Sequence, residues 1–312
     1  MVFKKIVVVG GGIIGSQIAL QSAYCGFESW ILLRSEASIE RARQKLEKLR
    51  SIYLDTMEKM KVDKTAYCNG FTNKKDLTNN EIDELKNQVE KCYKEIKLTT
   101  KYEEACKEAD LIIESIAEDP KQKTELYQEL SKYMEEKTVL VTNSSTLLPS
   151  LFADSTGRPE KYLSFHFSNE IWKNNITEIM VHERTDKKYF EEIVKFAEEI
   201  KMVPIKVNKE QKGYILNSLF VPFVFSALSL WANDVSDIET IDKTWRLGTG
   251  SASGPFRLLD CVGLPTVYNI LLINPGYKDS NSIQRKIADR LKVMIDAGKL
   301  GLISGEGFYK YK

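Results

Sequence analysis

Residues 4–26, KKIVVVGGGIIGSQIALQSAYCG, leave few folds open to this chain. Residues 6–9 are a β-branched and apolar run of the kind that forms a parallel strand buried on both faces. Gly10, Gly12 and Gly15 follow as G-x-G-x-x-G. Ile14, Ile18 and Ala19 then recur at helical spacing up to Gly26, a helix stop. Strand, glycine turn and helix in that order form the context in which this motif holds a dinucleotide. The first glycine permits the tight turn, the second lets the backbone approach a pyrophosphate, and the third lets the helix pack on the strand. The helix N-terminus offers free N–H groups and a partial positive charge to the phosphates. Gly10, Gly12, Ile13, Ile14 and Gly15 are therefore the expected pyrophosphate cradle of an NAD site. The competing reading is a glycine-rich turn with no ligand.

The next strand, SWILL, runs into LLRSEAS. A dinucleotide fold normally carries Asp or Glu here, to bond the adenine ribose hydroxyls. Leu33 and Arg34 occupy the place instead, and Glu36 is the nearest carboxylate. Arg34 would accommodate a ribose 2′-phosphate and admit NADP; stacked on adenine, it would leave NAD acceptable. Residues 41–60 read as a charged amphipathic helix, 62–80 as an irregular excursion and 81–95 as another helix. Strands are expected at 96–100, 111–115, 138–142, 162–167, 177–181 and 203–207, with helices at 121–134 and 187–200. That alternation predicts an α/β, doubly wound, Rossmann-type sheet. After residue 208 strand signals cease, and helices are expected at 211–232, 236–247, 255–272 and 280–297. The chain thus divides into a dinucleotide-binding domain, 1–208, and an all-α substrate and dimerisation domain, 209–312.

Composition narrows the function. A chain of 312 residues has room for two such domains. Lys and Arg number 45 against 44 Asp and Glu, so charge gives no support for a nucleic-acid or acidic-membrane partner. The five cysteines are odd in number and none is spaced C-x-x-C, which suggests no disulfide framework, no metal site and a reducing, cytoplasmic setting. The apolar run before the first glycines is too short for the core of a signal peptide. Residues 213–233 carry no charge and are long enough to span a bilayer. Asn217, Ser218, Pro222, Ser226 and Ser229 interrupt them, so a helix in a domain core or dimer interface is the better reading and no membrane partner is expected.

Oxidising an alcohol to a ketone removes a hydride from carbon and a proton from oxygen. Histidine suits the proton transfer, because it titrates near neutrality. The chain has only two, His166 and His182. His166 ends the apolar strand YLSFHF, where ligands of open α/β sheets bind, beyond the carboxyl ends of strands. His182 leads into the polar run ERTDKK, which reads as solvated surface. A carboxylate on the second ring nitrogen would fix the tautomer. Glu178, in the adjacent strand, and Glu170 are rival partners, and spacing alone leaves them even. Asn143, Ser144, Ser145 and Thr146, in TNSSTLLPS, could offer hydroxyl and amide groups to a bound oxygen or serve as a helix N-cap. No base adjoins the serines in sequence, so a hydrolase nucleophile is not indicated.

Taken in order, GGGIIG, ESIAEDPKQK, TNSSTLLPS, HFSN, TEIM, GYILNSL, IDKTWRLGTGSASGPFRLLD and GEGFYKY resemble the L-3-hydroxyacyl-CoA dehydrogenase family over nearly the whole chain. Within it, TNSSTLLPS, WKNN, GYILNSL and IDKTWR are most similar to the diketoreductase-like branch. The resemblance implies an NAD-dependent oxidoreductase acting on a small 3-hydroxyacyl or 3-ketoacyl substrate, as a homodimer. It implies a catalytic serine at Ser145, a base at His166 paired with Glu178, and a substrate-holding asparagine at Asn217. Cofactor contacts fall at Glu118, Lys123, Ser145 and Asn169. Three departures stand out: Leu33 replaces the ribose-binding acid, HFSNE replaces the usual HFFNP, and the CoA-contacting serine and lysine fall at Leu49 and Thr56. The missing lysine favours, as an alternative, a CoA-independent reductase of small 3-keto acids or keto esters. A dinucleotide-binding protein without turnover is the alternative of another class.

Overall fold

A computed structural model describes residues 3–311. The chain forms two compact units, Met1–Ile215 and Leu216–Lys312. In the first, strands β1 (Lys5–Val9), β2 (Glu28–Leu32), β3 (Lys97–Thr99), β4 (Leu111–Glu114), β5 (Val139–Thr142), β6 (Tyr162–Phe167), β7 (Ile176–Met180) and β8 (Val203–Val207) alternate with helices α1 (Ile13–Tyr24), α2 (Glu36–Met60), α3 (Asn79–Glu95), α4 (Tyr102–Cys106), α5 (Pro120–Leu130) and α6 (Lys187–Glu199). One sheet holds them in the order β3-β2-β1-β4-β5-β6-β7-β8. This is the doubly wound order, with β7 and β8 added at one edge. Strand β1 is buried along its whole length, as its β-branched run requires. Its side chains alternate: Ile6 and Val8 join the core beneath α1 and α2, while Val7 and Val9 join the opposite core with Tyr127 and Leu130.

All pairings in the sheet are parallel except β6 with β7. The connection between them, residues 168–175, is too short for the dozen or more residues that a parallel crossover needs. The pair therefore folds back on itself, and its register sets His166 opposite Glu178.

The second unit is helical: α7 (Leu216–Ala232), α8 (Ile238–Thr249), α9 (Pro255–Val262), α10 (Leu264–Ile273) and α11 (Ile283–Asp296). Its core gathers Val224, Leu228, Phe256, Leu259, Ile287 and Leu291. Among the described residues no single helix is long and apolar enough to cross a membrane.

Four helix boundaries differ most from expectation. Helix α2 begins five residues earlier than its amphipathic pattern, after Ser35. The helix expected over 121–134 stops at Leu130. The one expected from 211 begins only at Leu216, because Gly213 and Tyr214 take positive φ (77° and 54°) and turn the chain. The one expected over 255–272 is two helices, broken at Gly263 (φ 89°). In the excursion at 62–80, Thr78 forms a capping box with Glu81 and so sets the start of α3.

Candidate active site

The glycine turn joins β1 to α1. Gly10 has φ 108°, and a Cβ there would come within 2.6 Å of the Ser115 carbonyl oxygen. At Gly15 a Cβ would meet the Gly10 oxygen at 2.0 Å, so only glycine lets α1 sit this close to the turn. Gly12 is different. It caps α1, and a Cβ on it would meet nothing within 4 Å. The first turn of α1 has no acidic residue, and no side chain caps its N–H groups. Ile13, at the helix start, is 69% exposed, and Ile14 is partly buried against the core. A cleft of about 580 Å³ opens here, lined by Gly10, Gly11, Leu33, Arg34, Ile116 and Ala117 among others. An anion-seeking helix end beside a cleft of this size fits a dinucleotide. Arg34, on the cleft lining, is exposed, and Leu33 is buried with an apolar side chain.

The loop after β5 and the β6–β7 pair supply the other half of the site. His166 Nδ1 lies 3.2 Å from Glu178 Oε2, and its Nε2 lies 3.2 Å from Ser145 Oγ. The ring is 8% exposed in its side chain and Glu178 3%. A carboxylate accepts only, so Nδ1 carries the proton in that pair. In the neutral ring Nε2 is then a lone pair that accepts from the Ser145 hydroxyl, or from a substrate hydroxyl. Glu178 is itself fixed, because its Oε1 accepts from the Ile215 backbone N–H at 2.8 Å. The rival Glu170 sits at a positive-φ position (56°) and pairs instead with Lys173 at 3.3 Å.

Ser145 is held from the backbone upward. Its N–H donates to Glu118 Oε1 at 2.7 Å, and the neighbouring Ser144 hydroxyl donates to Glu118 Oε2 at 2.8 Å. Asn143 Oδ1 accepts from the Phe167 N–H at 2.9 Å, which ties the loop to the end of β6. The Tyr214 ring stacks on His166, with centroids 4.5 Å apart and planes 9° from parallel. Its hydroxyl donates to the Ser144 carbonyl at 2.7 Å, and burial pushes its pKa well up, so the phenol stays protonated. Tyr214 escaped the sequence reading, although it lies in GYILNSL; nothing in the spacing shows that a turn there lays the ring on an imidazole.

Lys123 is buried beside the end of β4. Its ammonium is 1% exposed and bonded at 2.6 Å to Glu114, which is fully buried at the end of β4. Glu114 also accepts from Tyr127 at 2.6 Å, Thr142 at 2.7 Å and the Ile116 N–H at 2.7 Å. This network was not expected from the sequence, whose only signal is a carboxylate ending an apolar strand. Asn169 is exposed, and its carbonyl accepts from the Asn174 side chain at 2.9 Å. Asn217 lies on α7 of the helical unit. His182 is buried rather than solvated; burial pulls its pKa below the usual 6.5, and its Nδ1 accepts from the Arg184 N–H at 3.3 Å. Leu49 is packed in the core, and the Thr56 hydroxyl is spent on the Ile52 carbonyl at 2.7 Å. Among the described residues no group of three or more His, Cys, Asp or Glu could hold a metal ion.

Comparison with known proteins gives the family. Residues 5–211 match the model of the 3-hydroxyacyl-CoA dehydrogenase NAD binding domain, and residues 213–311 match that of the C-terminal domain. The chain is 30% identical to the mitochondrial hydroxyacyl-coenzyme A dehydrogenase of Rattus norvegicus, over 100% of this chain and 92% of the relative. It is 28% identical to the 3-hydroxybutyryl-CoA dehydrogenase of Clostridioides difficile, over 98% and 99%. Among solved structures, a diketoreductase described as catalysing dual reactions of dicarbonyl compounds superposes with a TM-score of 0.85 at 38% identity, covering 99% of both chains.

Proposed function

The chain belongs to the 3-hydroxyacyl-CoA dehydrogenase family, and on that premise we propose that it interconverts a 3-hydroxyacyl and a 3-ketoacyl compound, with His166 and Glu178 as the acid–base pair. It is an NAD-binding oxidoreductase, and NAD, when bound, supplies the hydride acceptor. The observation that carries the proposal is the pairing of a buried imidazole with a carboxylate on one side and Ser145 on the other.

Ser145 and His166 Nε2 hold the 3-hydroxyl between them. As hydride leaves C3, Nε2 takes the hydroxyl proton, and the Glu178 carboxylate stabilises the imidazolium so formed. In the reverse direction the imidazolium donates that proton to the carbonyl oxygen. Tyr214 keeps the ring flat against its face while the charge changes. Asn217 helps to hold the carbonyl end of the substrate. Gly10, Gly12, Ile13, Ile14, Gly15, Arg34, Glu118 and Asn169 hold the cofactor. Lys123 acts behind them, by fixing Glu114 and with it Ile116 on the cleft wall.

The acyl carrier is the finer question. A CoA thioester such as 3-hydroxybutyryl-CoA is the family's substrate. A small 3-keto acid or keto ester is favoured by the apolar Leu49 and the self-satisfied Thr56 where a phosphate-binding pair is wanted, and by the likeness to a diketoreductase. Reduction of acetoacetyl-CoA and of a simple β-keto ester separates the two. A kcat/KM at least about tenfold higher for acetoacetyl-CoA is the outcome for a thioester enzyme. A preference of that size for the ester overturns the CoA reading and leaves the acid–base pair intact.

The helical unit is the proposed dimerisation surface. Leu219, Leu247 and Ile273 are 69%, 77% and 83% exposed, and apolar exposure of this kind marks an interface with a second copy. Sedimentation at micromolar concentration is expected to give twice the chain mass of 35.7 kDa; a species of 35.7 kDa overturns it. The five cysteines are all free thiols, which supports a reducing, cytoplasmic setting.

A further inference from the structure

The adenosine end of the cleft carries an unusual set of donors. Where a carboxylate would bond the ribose hydroxyls, Leu33 is buried and its N–H is taken by the Thr99 carbonyl at 2.9 Å. Arg34, Ser38, Arg41 and Lys45 line the same cleft as Gly10 and Gly11. Arg41 donates to the Ser38 hydroxyl at 2.9 Å, and Lys45 to the Gly11 carbonyl at 3.0 Å. Those partners are neutral, so the positive charges are not neutralised by them. Ser35 caps α2, but its hydroxyl lies 2.9 Å from that of Ser38 and bonds no helix N–H. Two carboxylates lie close. Glu36 accepts from the Thr100 hydroxyl at 2.8 Å, and Glu125 lines the cleft with Lys121 at 3.9 Å. Three cations and the Ser38 hydroxyl thus line the cleft beside the end of β2, and the carboxylate that would reject a phosphate there is missing.

We infer that Arg34, Arg41 and Lys45, with Ser38, read a phosphate on the adenosine ribose, so that this cleft binds NADP(H) more tightly than NAD(H). The inference rests on the cleft being the dinucleotide site. A phosphomonoester carries about −1.5 to −2 charges at neutral pH and three strong acceptor oxygens. Guanidinium forks match that geometry in pairs, which a dianion without a cation cluster could not find. The same chemistry occurs in the adenosine 3′-phosphate of CoA, so the source has to be told apart, and the place of the cluster beside the glycine turn favours the 2′-phosphate.

The test is equilibrium titration of the intact chain, by cofactor fluorescence and calorimetry, with NADPH, NADH, 2′,5′-ADP, 3′,5′-ADP and 5′-AMP. NADPH is expected to bind at least about tenfold tighter than NADH, and 2′,5′-ADP tighter than both 3′,5′-ADP and 5′-AMP. The advantage should shrink as salt rises. Arg34→Ala with Arg41→Ala, both exposed positions, should bring the NADPH to NADH ratio to about one. NADH binding as tightly as NADPH overturns the inference and leaves the dehydrogenase reading standing. Tighter binding of 3′,5′-ADP than 2′,5′-ADP also overturns it and assigns the cluster to CoA. Binding of no dinucleotide by protein with an intact melting transition overturns both.

Discussion

His166→Ala is expected to lower kcat by about 10²–10⁴-fold with dinucleotide affinity nearly unchanged, the loss that removal of general acid–base help brings. The expectation comes from the bonds the ring makes. Nδ1 is committed to Glu178 and Nε2 is turned to Ser145, so one nitrogen is braced and the other is available to the reacting oxygen. Glu118, the other carboxylate bonded to this loop, accepts from the Ser145 N–H and the Ser144 hydroxyl, and the Tyr214 phenol stays protonated. Single-turnover kinetics of hydride transfer, with cofactor Kd measured alongside, check it. An alanine variant with near-normal turnover sinks the assignment. Glu178→Gln should lose less than His166→Ala, because an amide still orients the ring but no longer stabilises the imidazolium.

Lys123→Met is expected to cost about 3–5 kcal/mol of stability at neutral pH, the usual penalty for removing one partner of a buried ion pair. Lys123 and Glu114 are 1% and 0% exposed, so little water can replace the lost ammonium. Glu114 would keep Tyr127, Thr142 and the Ile116 N–H as donors, which places the loss toward the lower end. Denaturant melts of both proteins at neutral pH check the size. If Lys123 served chiefly by touching the cofactor, the variant would melt normally and its NADH Kd would rise instead.

These two side chains also show what a sequence can disclose. The glycine turn was legible because every part of it is local: a β-branched strand, three glycines at fixed offsets and a helix within residues 4–26. The doubly wound sheet was legible because strands and helices alternate. The choice between Glu170 and Glu178 was not legible from spacing, because it depends on which way the chain turns after β6. Eight residues force an antiparallel return, and register then selects Glu178. Resemblance pointed to the same residue, but gave no reason for it. Glu114 with Lys123 stayed hidden for a like cause: a strand end and a helix face meet only in the folded core. Two helix boundaries were missed because a positive φ intervened, at Gly213 with Tyr214 and at Gly263.

The fold-back of β6 onto β7 has a consequence for how this chain can change. Side chains of a strand alternate between faces, so the imidazole and its carboxylate share a face only while the two strands keep the same parity. A shift of pairing by a single residue would send one partner to the far side of the sheet. The chemistry is thus stored in a count of residues between strands as much as in the identity of any one of them, and the connection 168–175, anchored by the buried Ile171 and Trp172, is a ruler.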